Sequence, residues 1–94
     1  DARADPALRM TLVRMRGNVL FRRERILEAV PYYECALSMS ESAGNAQAEA
    51  IAQNNLGSAW RRLGEPQLAL GALDRALTLQ TQRSGLLYAN TMMN

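Results

Sequence analysis

An all-α fold of antiparallel helix-turn-helix repeats, two repeats followed by a short C-terminal helix, is what the sequence predicts. Three observations carry that prediction. Alanine and leucine dominate the apolar residues while valine and isoleucine are scarce, which favours helices over strands. Residues of like size recur forty positions apart: Gly17, Ala29, Ala36 and Leu37 have partners at Gly57, Ala69, Ala76 and Leu77. Leu20 matches Trp60 and Tyr33 matches Leu73 in the same register. Third, helix starts and stops fall between these blocks rather than inside them.

The elements follow in chain order. Asp5-Pro6 is an N-cap followed by proline in the first turn, opening a helix that runs to about Arg22. A second helix spans roughly 25–42 and ends near Gly44; a third runs from about 46 to 63 and stops at Gly64. Glu65-Pro66 opens a fourth, to about Gln82, before Ser84-Gly85 interrupts it and a short fifth begins at about 85. Repeat one therefore covers about 10–43, repeat two about 50–83, and a terminal capping segment 85–94.

Gly57 sits inside the third helix, where it costs about 1 kcal/mol relative to alanine. Two antiparallel helices approach most closely where small residues face each other. Gly57 against Ala69, with Trp60 and Leu73 interlocking on either side, accounts for the glycine, and Gly17 with Ala29 repeats the arrangement. On this register Trp60 is a core residue. Pro31 falls inside the second helix, where it deletes a backbone hydrogen bond and should produce a kink, and it matches Gly71 one period later, which places both on an outward face.

These residues resemble the tetratricopeptide repeat family. Leu56-Gly57, Trp60, Leu63-Gly64, Ala69, Leu73 and Ala76-Leu77 match its pattern well in the second repeat. The first keeps Gly17, Leu20, Ala29, Tyr33 and Ala36-Leu37, but carries Arg16 in place of leucine and Glu24 in place of the turn glycine. The forty-residue period exceeds the family's usual length of about 34. The excess falls in SESAGNAQAEA and implies longer helices, similar to extended repeats of bacterial signalling enzymes and transcription regulators.

Composition excludes several function classes. The 94 residues suffice for one domain. All eleven basic residues are arginine, and there is no histidine, so an ordinary catalytic triad, an imidazole base and the usual zinc sites are ruled out. GSAWRRLG lacks the lysine of a phosphate-binding loop. No cofactor, no metal and no catalytic residue is expected. The single cysteine, Cys35, precedes Ala36 and reads as a buried structural thiol. With no disulfide possible, a reducing, cytoplasmic setting is expected. The net charge is only +2, and the basic clusters Arg22-Arg23-Glu24-Arg25 and Arg61-Arg62 form no contiguous stripe, with acidic residues interspersed along the chain, which argues against nucleic acid. No stretch resembles a signal peptide or a membrane span. The chain starts at Asp1 without an initiator methionine and reads as a piece of a longer protein.

The resemblance implies that the first helix of each repeat lines a concave groove. By helical spacing the exposed groove positions are Thr11, Arg14, Asn18, Phe21 and Arg22, then Ile51, Asn54, Asn55, Ser58, Arg61 and Arg62. Of these, Arg14, Asn18, Arg22, Asn54, Asn55, Ser58 and Arg62 are the candidate residues for holding a partner protein or peptide. Asparagine can clamp a peptide amide, and arginine pairs bidentately with carboxylates, which points to acidic or C-terminal peptides. Arg14, Asn18 and Asn55 also fall where chaperone-binding members of the family carry a carboxylate clamp, although lysine is usual at the first of these positions. A second surface is apolar. Leu70, Leu73 and Leu77 seek a cover that Leu86, Leu87, Met92 and Met93 can supply, leaving an apolar far side for a second copy.

The sequence thus reads as a non-catalytic protein-interaction module, a regulatory or sensory segment of a larger bacterial signalling protein. A homodimerisation segment is the alternative reading, and a small-ligand sensor a third.

Overall fold

The structure, a computed structural model, describes residues 5–93, and side chains over 5–82. The described residues form four helices: α1 (Pro6–Arg22), α2 (Ile26–Ser42), α3 (Ala46–Arg62) and α4 (Pro66–Met93). No strand occurs among the described residues. Each helix packs on the next in sequence, so the chain forms two antiparallel hairpins joined by α2 against α3.

Every helix begins twenty residues after the one before it, and the three connections are the same motif. Glu24, Gly44 and Gly64 each take a left-handed conformation, with φ of 63°, 64° and 76°. The following N–H then reaches back to the carbonyl of the last helical turn: Arg25 to Leu20, Asn45 to Ser40 and Glu65 to Trp60. These are Schellman turns, which satisfy carbonyls that a helix end otherwise leaves unpaired. Helix starts are fixed as the sequence predicts for α1, where the Asp5 carboxylate accepts from the N–H groups of Ala7 and Leu8. At α3 the Asn45 side chain accepts from Ala48 N–H.

α4 departs from expectation. Ser84-Gly85 does not end it: the helix continues through to Met93, and the separate fifth helix is its continuation. One glycine costs a helix only about 1 kcal/mol, and no proline follows to enforce a stop.

The core lies between the hairpins. Ile26, Ala29, Val30 and Tyr33 of α2 meet Leu56 and Ala59 of α3, with Leu20, Phe21, Trp60 and Leu63 packed at the edges. Trp60 is therefore only partly buried, and Tyr33, 2% exposed, is the large side chain at the centre.

The glycines inside α1 and α3 each sit beneath a large side chain. A Cβ on Gly57 would lie 2.7 Å from Leu73 Cδ2 and 3.4 Å from the Ala69 carbonyl oxygen. A Cβ on Gly17 would meet Tyr33 Cε1 at 2.8 Å and Tyr32 Cβ at 3.3 Å. The close approach to Ala69 is as expected, but the atoms that exclude a side chain belong to Leu73, and in the first repeat to Tyr33 rather than Ala29. Pro31 and Gly71 are exposed on the outer helices, as expected.

Candidate functional site

α1 and α3 share one face of the molecule, and between them lies a cleft of about 220 Å³. Thr11 and Arg14 line it from α1, Gln47, Ala48 and Ile51 from α3, and Met10 and Ala36 contribute apolar wall. No acidic side chain is among its lining residues. Of the groove positions expected from sequence, Thr11, Arg14 and Ile51 are brought together here. Met10, Gln47 and Ala48 were not anticipated: Met10 is a buried residue at the foot of the cleft, and Gln47 lies in the stretch that lengthens the repeat.

One turn along α1 from Arg14, Asn18 is engaged within its own hairpin. Its Oδ1 accepts a hydrogen bond from the Tyr33 hydroxyl at 2.7 Å, which leaves both N–H donors of the amide and one acceptor lone pair. Burial raises the Tyr33 phenol above its usual value, opposed by the positive charges of Arg14 and Arg22. Arg14, Asn18, Arg22 and the Tyr33 hydroxyl thus form one polar, electropositive row on α1 and its neighbour.

The far end of the face is closed by an interaction between the hairpins. Arg62 forms an ion pair with Glu24, and its guanidinium stacks over the Phe21 ring, 5.4 Å from the centroid. Hydrogen bonding to Glu24 holds the Arg62 guanidinium above its ordinary value. Phe21, expected to be exposed, is partly buried under this cation. Arg62 and Phe21 therefore join repeat one to repeat two, a consequence of Glu24 standing where the family has glycine.

On α3, Asn54, Asn55 and Ser58 are half-buried. The Asn55 amide nitrogen is buried without a hydrogen-bond partner among the described residues. Such a donor is costly to leave unmade.

The repeated turn, the helix lengths and the paired glycines are joined by a match of the tetratricopeptide repeat family model to residues 8–82. The chain belongs to the tetratricopeptide repeat family. No curated protein and no solved structure matches it. Tetratricopeptide repeats mediate protein–protein interaction and the family is typically non-catalytic. No helix among the described residues is long and apolar enough to cross a membrane.

Two further expectations meet the tetratricopeptide repeat geometry differently. Cys35 is exposed, not buried. The buried face of α2 runs through Ala29, Tyr33, Ala36 and Ser40, and a residue adjacent to Ala36 points about 100° away from that face. On α4, Leu70 and Leu77 stand 67% and 61% exposed, and Leu73, beside Gly57, is 37% exposed. The side chains of Leu86, Leu87, Met92 and Met93 lie outside the described residues.

Proposed function

We propose that this tetratricopeptide repeat segment receives an acidic or C-terminal peptide of a partner protein in the cleft between α1 and α3. The observation that supports the reading is the cleft itself: Arg14 beside an apolar floor of Met10 and Ile51, with no carboxylate in the lining. Such a cleft can seat one apolar side chain while Arg14 pairs with a carboxylate. Arg14, Asn18, Arg22, Asn54, Asn55 and Ser58 are the residues proposed to hold the peptide. Asn18 offers chiefly its two N–H donors, and Arg62 acts by holding the joint rather than by contact. The wider setting we propose is a regulatory segment of a larger bacterial signalling protein, in keeping with the long helices. Selection of a displayed library of random C-terminal peptides on the wild-type chain tests the reading. Acidic sequences that fail to bind Arg14→Glu support it; sequences without acidic bias, or ones retained by that variant, refute it.

A second reading rests on a separate observation. The exposed stripe of Leu70, Leu73 and Leu77 is an apolar end surface of the kind that a further repeat or a second copy covers. Sedimentation over a range of concentrations distinguishes a homodimer from a monomer, and Leu77→Asn should abolish a dimer made this way.

A further inference from the structure

The outward side of α1 carries a second surface, distinct from the cleft and independent of the reading given for it. Leu8, Leu12, Met15 and Val19 are each 43–51% exposed and recur at intervals of four, three and four residues, which aligns them on one helical stripe. Beside this stripe runs a row of exposed arginines at seven-residue spacing: Arg9, Arg16 and Arg23. Tyr32 of α2 rises along the same side, so that Leu12, Met15, Arg16, Val19, Leu20 and Tyr32 enclose a groove of about 360 Å³.

The repeat shows what shape belongs there. Forty residues on, the same stripe of α3 is Ala48, Ala52, Asn55 and Ala59. Ala52 and Ala59 are 1% and 0% exposed, and Ala59 packs into the core with Ile26, Ala29, Val30 and Tyr33 of α2. The corresponding side of α1 is thus a position at which a helix packs in the second repeat. The arginine row says which helix. α1 contains no aspartate or glutamate, so a second α1, in either direction, offers these arginines nothing to pair with. The exposed stripe of α4 is flanked by one acid, Asp74, against three arginines. α2 carries acids at Glu28, Glu34 and Glu41, with Glu28 paired to Arg25 at 2.7 Å, but Leu27 is its one exposed large apolar residue, so a second α2 brings no apolar stripe to this groove.

We propose that this groove docks an amphipathic helix of a partner protein whose apolar face is flanked by a row of acidic residues. The large side chains of the stripe favour small apolar residues, alanine among leucines, on the incoming helix, because within the chain the joint of α2 with α3 sets large residues against alanines. Acidic residues on one flank meet Arg9, Arg16 and Arg23, which fixes direction and excludes basic helices.

The test uses two fluorescein-labelled synthetic helical peptides of about five turns, long enough to lie along α1. Both carry the same alanine–leucine stripe, one flanked by glutamates and the other by lysines. Anisotropy titration of the intact chain should show the glutamate peptide binding at least about tenfold more tightly than its lysine twin. Leu12→Asn should weaken that binding, and the double variant Arg9→Glu, Arg16→Glu should reverse the preference; both substitutions are at exposed positions and leave the far-UV helical signal unchanged. Equal binding of the two peptides, or binding that Leu12→Asn leaves intact, would overturn the proposal. So would failure of the glutamate peptide to bind while Leu12→Asn abolishes association with vesicles of phosphatidylglycerol and phosphatidylcholine, which would make the surface a membrane contact. Concentration-dependent self-association lost in Leu12→Asn would assign it to a second copy instead and equally overturn it.

Discussion

The Tyr33 hydroxyl donates a 2.7 Å hydrogen bond to Asn18 Oδ1 while the ring of the same tyrosine covers Gly17. One side chain thus closes the first hairpin, fills the centre of the core and takes one of the two acceptor positions of a groove asparagine. Tyr33→Phe should cost about 0.5–1.5 kcal/mol, the usual net value of such a bond. Its pH dependence has a definite sign. Burial raises the Tyr33 phenol above its ordinary value, so the folded state favours the neutral form. That stabilisation is complete below about pH 10 and is lost as pH rises through the raised value. Urea denaturation of the wild type and of Tyr33→Phe at neutral pH and above about pH 10 should show a smaller alkaline loss in the variant.

Tyr33, rather than the chain's single tryptophan, should be the costliest large side chain to truncate. Tyr33→Ala is expected to cost about 3–5 kcal/mol, and Trp60→Ala, at the edge of the core, less than about 3 kcal/mol. Thermal melts of the two variants check the order, and a more severe loss in Trp60→Ala would contradict the packing described.

Three glycine-to-alanine variants should separate by what stands over each position. Gly71 faces open space, so Gly71→Ala should stabilise by about 0.4–1 kcal/mol. Gly17→Ala must displace the buried Tyr33 ring and should destabilise by about 1–3 kcal/mol. Gly57→Ala should fall between them, because Leu73 is partly exposed and can swing outward. Denaturation midpoints of the three variants test the sequence of effects.

Glu24 occupies a left-handed position that Gly44 and Gly64 fill elsewhere. Glu24→Gly relieves about 1 kcal/mol of backbone strain but removes the partner of Arg62. At high salt, where an exposed pair is screened, the variant should be the more stable chain; at low salt the gain should shrink. A midpoint difference independent of salt would mean that the ion pair makes no contribution to the joint.

Much of this architecture is legible in the sequence because its signals are local. Asp5-Pro6, Gly44, Gly64 and Pro66 mark helix ends by backbone chemistry alone, and the recurrence of Gly17 at Gly57 marks the hairpins. What is not legible depends on partners distant in sequence. Nothing near Asn18 announces that Tyr33 will bind it, and nothing near Arg62 announces Glu24, thirty-eight residues away. The turn at Glu24 is placed by the resemblance, but its left-handed conformation is not signalled because the residue is not glycine. Cys35 reads as core from its neighbour Ala36, although successive helical residues face different ways. α1 carries apolar residues on two sides, one inward and one outward, so its outer stripe is masked by its inner one. Ser84-Gly85 reads as a break because local propensity is weak evidence beside a run of good helix formers on either side.

The most direct test of the proposed cleft is amide chemical-shift mapping of a selected acidic C-terminal peptide on the isotope-labelled chain. The account predicts that the perturbed residues cluster on Thr11, Arg14, Gln47 and Ile51, spread along α1 toward Asn18, and vanish in Arg14→Glu at unchanged melting temperature. Perturbations confined to the outer faces of α2 and α4, or a pattern that survives Arg14→Glu, would contradict it.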